Sequence, residues 1–186
     1  DRSILDYTQQ ELKALCAVAY QDFMKYSISL KNNIAVGDVN HIGHNEQAVH
    51  NAIHIMDLDG LVAELPDGIN TTLGKIRKDG VDLSGGQWQR IALARFIVNP
   101  APLRILDEPT AAIDPVSESR MYEKFEQLCN NQTTIFISHR LGSTMLADHI
   151  FVIDQGQLIE AGSHDELMSY NGVYSKLYDS QRCWYQ

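Results

Sequence analysis

The sequence predicts an α/β protein built on a mostly parallel sheet. Three observations carry this. Short apolar runs of strand length alternate with stretches of helical period along most of the chain. Two of those runs, 17–20 and 103–106, are followed directly by polar or acidic residues, as strands meeting a sheet edge are. A hairpin signature, Gln155-Gly156 between two apolar segments, closes the alternation.

The elements follow in order. Residues 3–6 read as the end of a strand and 9–15 as a short helix. Ala17-Val18-Ala19-Tyr20 reads as a buried strand running into Gln21-Asp22. Over 45–58, Val49, Ala52, Ile53 and Met56 fall on one helical face. Leu65-Pro66-Asp67-Gly68 is turn chemistry, and 79–82 is a glycine-containing loop. A second helix starts near Ser84, carries Ile91, Ala94, Ile97 and Val98 as its stripe, and ends at Asn99-Pro100. A strand covers 103–106. A third helix follows Pro115, with Met121, Phe125 and Leu128 on one side. Residues 133–138 read as a β-branched, buried strand. Strands at 150–154 and 157–161 flank Gln155-Gly156. A helix covers 164–169, and the tail from Tyr174 is helical.

A chain of 186 residues can bury a real core without staples, and 44% hydrophobic with 21% charged residues is ordinary for a globular protein. A net charge of −9 argues against non-specific binding of nucleic acid or anionic lipid. Three widely spaced cysteines, Cys16, Cys129 and Cys183, form no zinc or disulfide pattern and fit a reducing compartment. No apolar run approaches the ~18 residues of a membrane helix, and no signal peptide is visible. The chain opens at Asp1 without an initiator Met, as a piece of something longer would.

Two segments carry chemistry. In Leu83-Ser84-Gly85-Gly86-Gln87 the glycines let a ligand approach the backbone, and Ser84 stands where a helix begins. The open N–H groups and positive dipole end there suit phosphate. The plainer reading is that Ser84 only caps the helix. In Leu103-Arg104-Ile105-Leu106-Asp107-Glu108-Pro109-Thr110 an apolar strand ends in two carboxylates at the edge where α/β sheets bind ligands. Asp107 could hold Mg²⁺ through water, and Glu108 could deprotonate a water attacking a phosphate. The plainer reading is a solvated acidic loop.

Together, in this order, these segments resemble the nucleotide-binding domain of ATP-binding-cassette (ABC) proteins, over nearly the whole chain. Gln21 resembles the Q-loop glutamine, which touches Mg²⁺ and couples to the transmembrane domain. Residues 83–87 resemble the signature motif, 103–108 the Walker B strand with its catalytic glutamate, and Ala111-Ala112-Ile113-Asp114 the D-loop. Ser138-His139-Arg140-Leu141 resembles the switch-histidine loop.

The resemblance implies an ABC ATPase domain of the P-loop NTPase type, with a helical subdomain over about 22–100 carrying the signature and a second part over 101–186. It implies ATP and Mg²⁺ as ligands, with Asp107 and Gln21 on the metal. It implies catalytic roles for Glu108, His139 and Gln21, and nucleotide contacts from Ser84, Gly85, Gly86, Gln87 and Asp114. It implies a head-to-tail dimer with a second such domain, a transmembrane-domain partner at the cytoplasmic face of the membrane, and no nucleic acid. Gln87-Trp88-Gln89 and the approach over 73–80 are most similar to bacterial peptide exporters.

The sequence also departs from that family. No Gly-x-x-x-x-Gly-Lys-Ser/Thr run occurs; residues 68–75 fail on spacing and on Ile76 where a hydroxyl is needed. The chain therefore resembles the C-terminal part of such a domain. Arg104 stands in the Walker B strand in place of an apolar residue, which argues against full burial there. His50 and His54, spaced i, i+4, read as a solvated face rather than a zinc site. Trp88 reads as helix packing and Cys16 as core. Two other functions compete with export. A DNA-repair or chromosome-type ATPase needs a coiled-coil insertion for which the segment between Gln21 and Ser84 has no heptads. A nucleotide-independent cassette remnant is favoured by the missing P-loop and opposed by Glu108 and His139.

Overall fold

The structure, a computed structural model, describes residues 2–39, 46–76, 78, 80–110, 121, 124–125 and 132–182. The chain divides into two compact units, residues 1–135 and 136–186, and the division falls within a strand.

The first unit opens with a 3-10 turn at Ile4–Asp6, where a strand end was expected. Ser3 turns the chain there, its hydroxyl accepting from the Leu5 N–H. Helix α1 (Gln9–Leu15) follows, closed by a capping box in which Thr8 and Glu11 satisfy each other's backbone N–H. Strand β1 (Cys16–Ala19) pairs in parallel with β2 (Leu103–Asp107), with Cys16 beside Leu103 and Ala19 beside Leu106. With β3 (Thr133–Ile137) they form a sheet of order β1-β2-β3.

Among the described residues, four α-helices lie between β1 and β2: α2 (Leu30–Ala35), α3 (Glu46–Ile55), α4 (Asp59–Glu64) and α5 (Gly85–Val98). Helix α5 is their hub. Its Trp88, Ile91, Leu93, Ala94 and Phe96 are buried, and it packs on α2, α3 and β1. Leu30 and Ile34 of α2, and Val49, Ala52 and Ile53 of α3, supply the facing apolar surface. Close approach is enforced at Gly37, where a Cβ would stand 2.0 Å from the Arg95 carbonyl oxygen. Asn99 fastens the same spot by donating from Nδ2 to the Gly37 carbonyl at 2.8 Å.

Polar side chains organise the loop leaving β1. The Arg95 guanidinium donates to the carbonyls of Asn33 and Met24 and to Asn33 Oδ1 at 2.6–2.7 Å, and lies 4.8 Å from the Tyr26 ring centroid. Asn33, fully buried, donates from Nδ2 to the carbonyls of Tyr26, Ile28 and Ser29. Burial pulls the Arg95 pKa down from its ordinary value, an effect that the neighbouring Tyr26 opposes.

Two further expectations are corrected. Arg104 is buried at 7% exposure, its guanidinium 5.3 Å from the Phe96 ring centroid, so burial at this strand position is compatible with a cation stacked on an aromatic face. Strand β3 is not a buried strand: Ile135 and Ile137 are 46% and 50% exposed on one of its faces. Helices α2 and α4 had no counterpart in the pattern. Trp88 is packed inside, as expected. Only Met121, Lys124 and Phe125 of the third expected helix belong to the described residues.

The second unit is a hairpin covered by two helices. β4 (Ile150–Asp154) and β5 (Gln157–Gly162) are antiparallel with a register shift at Val152/Ile153, and Gln155 and Gly156 turn the chain with positive φ. Helices α6 (His164–Ser169) and α7 (Val173–Arg182) follow. Ile150, Leu167 and Tyr174 form the core, with Ala147, Val152, Met168 and Tyr178 around it. The buried Tyr174 hydroxyl is shared by Thr144 and His164 at 2.7 and 2.8 Å. No helix among the described residues is long and apolar enough to cross a membrane.

Helix α7 is capped from another element. Glu160 of β5 accepts the N–H groups of Val173 and Tyr174 at 2.6 and 3.0 Å. These two bonds, the Tyr174 one first, hold its pKa below the usual glutamate value. A depressed carboxylate pKa stabilises the fold above the unfolded-state pKa, and that contribution disappears as pH falls through the folded-state pKa. Glu160→Gln is therefore expected to lower the urea midpoint at pH 7. The gap to the unsubstituted protein should narrow steadily below about pH 4. Denaturation curves at a series of pH values check this, and a gap independent of pH would refute the capping account.

Candidate functional site

Parallel pairing of β1 and β2 brings two chemically distinct segments to one sheet edge. Ala19 lies beside Leu106, so the chain leaves both strands at neighbouring points. Gln21, exposed, follows two residues beyond β1, while Asp107 ends β2 and Glu108 comes next. Both carboxylate residues are half-buried. Glu108 has a left-handed backbone, φ 46°, just before Pro109. A non-glycine residue held there costs about 1–3 kcal/mol and persists only where its surroundings determine it. The residue before a proline is further restricted. Pro109 and Thr110, which follow, are buried.

The surroundings include α5. Gln89, 3% exposed, donates from Nε2 to the Pro109 carbonyl at 2.9 Å. Glutamine at this position was not among the expected site residues. Its only sequence signal is a polar side chain on the inward side of an amphipathic helix.

Helix α5 begins in the candidate phosphate segment. Ser84 is its N-cap: its hydroxyl accepts from the Gln87 N–H at 3.2 Å, and Gln87 Oε1 accepts from the Ser84 N–H at 2.9 Å. The capping reading is thus real, and it engages the Gln87 carbonyl oxygen. It does not explain Gly85. A Cβ added at Gly85 would meet nothing within 4 Å among the described residues, so packing against them does not require glycine there. Ser84 and Gly85 are both exposed at the N-terminus of a 14-residue helix.

His139 belongs to the second unit and is exposed. Its loop is shaped by Ser138, whose hydroxyl accepts from the Arg140 N–H at 2.9 Å and donates to the Arg140 carbonyl at 3.1 Å. Gln181 of α7 donates to the His139 carbonyl at 2.6 Å. Asp114 and the rest of the expected D-loop lie outside the described residues. His54 is paired with Asp59 on the surface, Nδ1 to Oδ2 at 3.1 Å. Among the described residues no three His, Cys, Asp or Glu side chains gather to hold a metal.

Comparison with known proteins gives this arrangement its family. The family model described as ABC transporter matches residues 1–111. The subtilin transport ATP-binding protein SpaT of Bacillus subtilis is 41% identical over 165 residues, 89% of this chain and 27% of that protein. The ATP-dependent lipid A-core flippase of Shewanella oneidensis is 39% identical over 183 residues, 97% of this chain and 29% of that protein. Among solved structures, a bacterial Atm1-family ABC exporter with ATP bound superposes with a TM-score of 0.84 at 34% identity, covering 96% of this chain and 30% of that one. The chain thus spans less than a third of the length of these relatives. With a parallel strand pair, a helix capped at Ser84 and a family model over most of its length, the chain belongs to the ABC transporter family.

Proposed function

We propose that this chain is the signature-bearing, C-terminal part of the nucleotide-binding domain of an exporter, which binds and hydrolyses ATP to drive transport across a membrane. The observation that carries the reading is the common edge of β1 and β2, where Gln21, Asp107 and Glu108 leave the sheet together. Asp107 and Gln21 would hold Mg²⁺ alongside phosphate oxygens. One carboxylate and one amide oxygen suit a hard cation that keeps several waters. When bound, Mg²⁺ neutralises charge on the phosphates. Glu108 accepts the proton of the attacking water, and His139 contacts the terminal phosphate.

Ser84, Gly85, Gly86 and Gln87 face the nucleotide of a second domain in a head-to-tail pair, and Asp114 links the two sites. Gly85 supports this: nothing among the described residues needs its small size, whereas phosphate approaching the helix N-terminus from outside does. A transmembrane domain is the other partner, which places the chain at the cytoplasmic face of a membrane. The proposed cargo is a peptide, from the likeness at 87–89 and 73–80. Relatives named lipid A-core flippases, at 38–40% identity, make a lipid the competing cargo.

In a complete subunit, Glu108→Gln is expected to lower ATP turnover by about 10²–10⁴-fold and to leave ATP binding intact, because the amide keeps the shape and loses the proton acceptor. Steady-state hydrolysis and nucleotide titration check this; turnover within about threefold of the unsubstituted subunit would remove Glu108 from the role.

Gly85→Ala separates fold from function. In the 186-residue chain it is expected to raise stability by about 0.4–1 kcal/mol, since alanine fits a helical position with open space around it. In the complete subunit it is expected to lower hydrolysis by roughly tenfold or more, because a displacement of ~1 Å at a phosphate contact is felt strongly. Thermal unfolding and ATPase assays read the two effects; unchanged hydrolysis would mean that no phosphate closes on Gly85.

A further inference from the structure

We propose that Gln89 is a positioning residue for Glu108: its side-chain amide, reaching out of the signature helix, fixes the peptide that follows the general base. The proposal rests on the reading of Glu108 given above.

Glu108 has a backbone conformation that non-glycine residues rarely adopt, immediately before a proline. Two constraints meet on its C-terminal side. The Pro109 ring fixes that residue's φ. The Gln89 Nε2 donates to the Pro109 carbonyl at 2.9 Å, across 20 positions of sequence, with Gln89 3% exposed. Ring and anchored carbonyl together fix the Pro109–Thr110 peptide plane. Glu108 is then left with little freedom to rotate away from the sheet edge it shares with Gln21. A buried amide donor sits here on the packed side of α5, in a helix whose other buried positions are Trp88, Ile91, Leu93, Ala94 and Phe96. An apolar residue would fill that place more simply, so the donor is there for its hydrogen bond.

The consequence is kinetic rather than a matter of affinity. Gln89 does not lie at the sheet edge that takes the nucleotide, so its loss leaves ATP binding alone and loosens only the group that receives the proton. Well-oriented groups lose rate steeply when displaced. One ordinary hydrogen bond then corresponds to about five- to tenfold in rate.

The experiment uses the complete subunit with its membrane region. Gln89→Met keeps the length and apolar bulk of the side chain and removes the donor. Expected is a fall in kcat of about five- to tenfold with KM for ATP within about twofold. In the Glu108→Gln background, followed by single-turnover hydrolysis with enzyme in excess, the same substitution is expected to cost nothing further, because the group it positions is already disabled. Three results would overturn the proposal: parallel changes in kcat and KM, an undiminished cost in the Glu108→Gln background, or unchanged kcat. Should the Gln89→Met subunit not fold, Gln89→Leu is read by the same criteria; failure of both to fold would assign Gln89 to the core alone and likewise overturn it. If Glu108→Gln by itself leaves turnover intact, the general-base reading fails instead, and the two failures are distinguished.

Discussion

Two side chains, Arg95 of α5 and Asn33 of α2, fasten the backbone of the loop that follows β1. Arg95 and Asn33 between them bond the carbonyls of residues 24, 26, 28, 29 and 33. The segment is exposed or half-buried, and the Ile28 and Ser29 carbonyls also accept from the backbone N–H groups of Leu73 and Asn33, so these donors act chiefly to hold the loop against α2 and α5. Neither donor works alone. Asn33 Oδ1 accepts from Arg95 Nη2 at 2.6 Å, which orients the amide so that its Nδ2 faces the three carbonyls. The Arg95 charge loses solvation on burial, seen in its lowered pKa, and the fork of carbonyl acceptors and the Tyr26 ring offset that loss. Loop, α2 and α5 therefore form one cooperative assembly. Removing one partner would strand polar groups rather than delete a single bond.

Legibility in the sequence followed the range of the interaction. Helix α5 was readable because its signals are local: Ser84 and Gln87 three apart make the cap, the stripe follows, and Asn99-Pro100 stops it. The hairpin was readable for the same reason, since Gln155-Gly156 both take positive φ. Helices α2 and α4 have six residues each, too short for a period to emerge, and depend on packing for their existence. The strand expected at residues 3–6 is a 3-10 turn, closed by the Asp6 and Tyr7 N–H groups on the Ser3 and Ile4 carbonyls together with the Ser3 hydroxyl cap. The exposure of Ile135 and Ile137 was illegible because a β-branched run reports that a strand forms, not what lies against it.

The candidate site divides in the same way. Ser84, Asp107, Glu108 and His139 stood out because their motifs are contiguous. What supports them is not contiguous. Gln89 reaches Pro109 across 20 positions, Arg95 reaches Asn33 and Met24 across 62 and 71, and Gln181 reaches the His139 backbone across 42. Each is a polar side chain whose own neighbourhood in sequence looks like an ordinary helix surface. Its task is defined only once the fold has brought a backbone carbonyl to it. Chemistry-bearing residues are thus easier to find by pattern than the donors that hold their loops in place.

These attachments are spaced along one rigid body. Helix α5 has 14 residues, so it is about 21 Å long at 1.5 Å per residue. Its exposed N-terminus carries Ser84 and Gly85, its first turns carry Gln89, and its last turn carries Arg95. An α-helix packed on α2, α3 and β1 does not absorb a push at one end by bending. A contact that shifted Ser84 would move the donors to Pro109 and to Met24 and Asn33 as well. The first of these follows Glu108, and the second lies in the loop after Gln21. On the proposed head-to-tail arrangement, phosphate arriving from the partner at Ser84 would therefore bias both segments of this chain's own sheet edge through a single lever. The linkage needs no wire of small side-chain motions, only a stiff helix with three hydrogen-bonded attachments and two geometries of differing contact with the nucleotide.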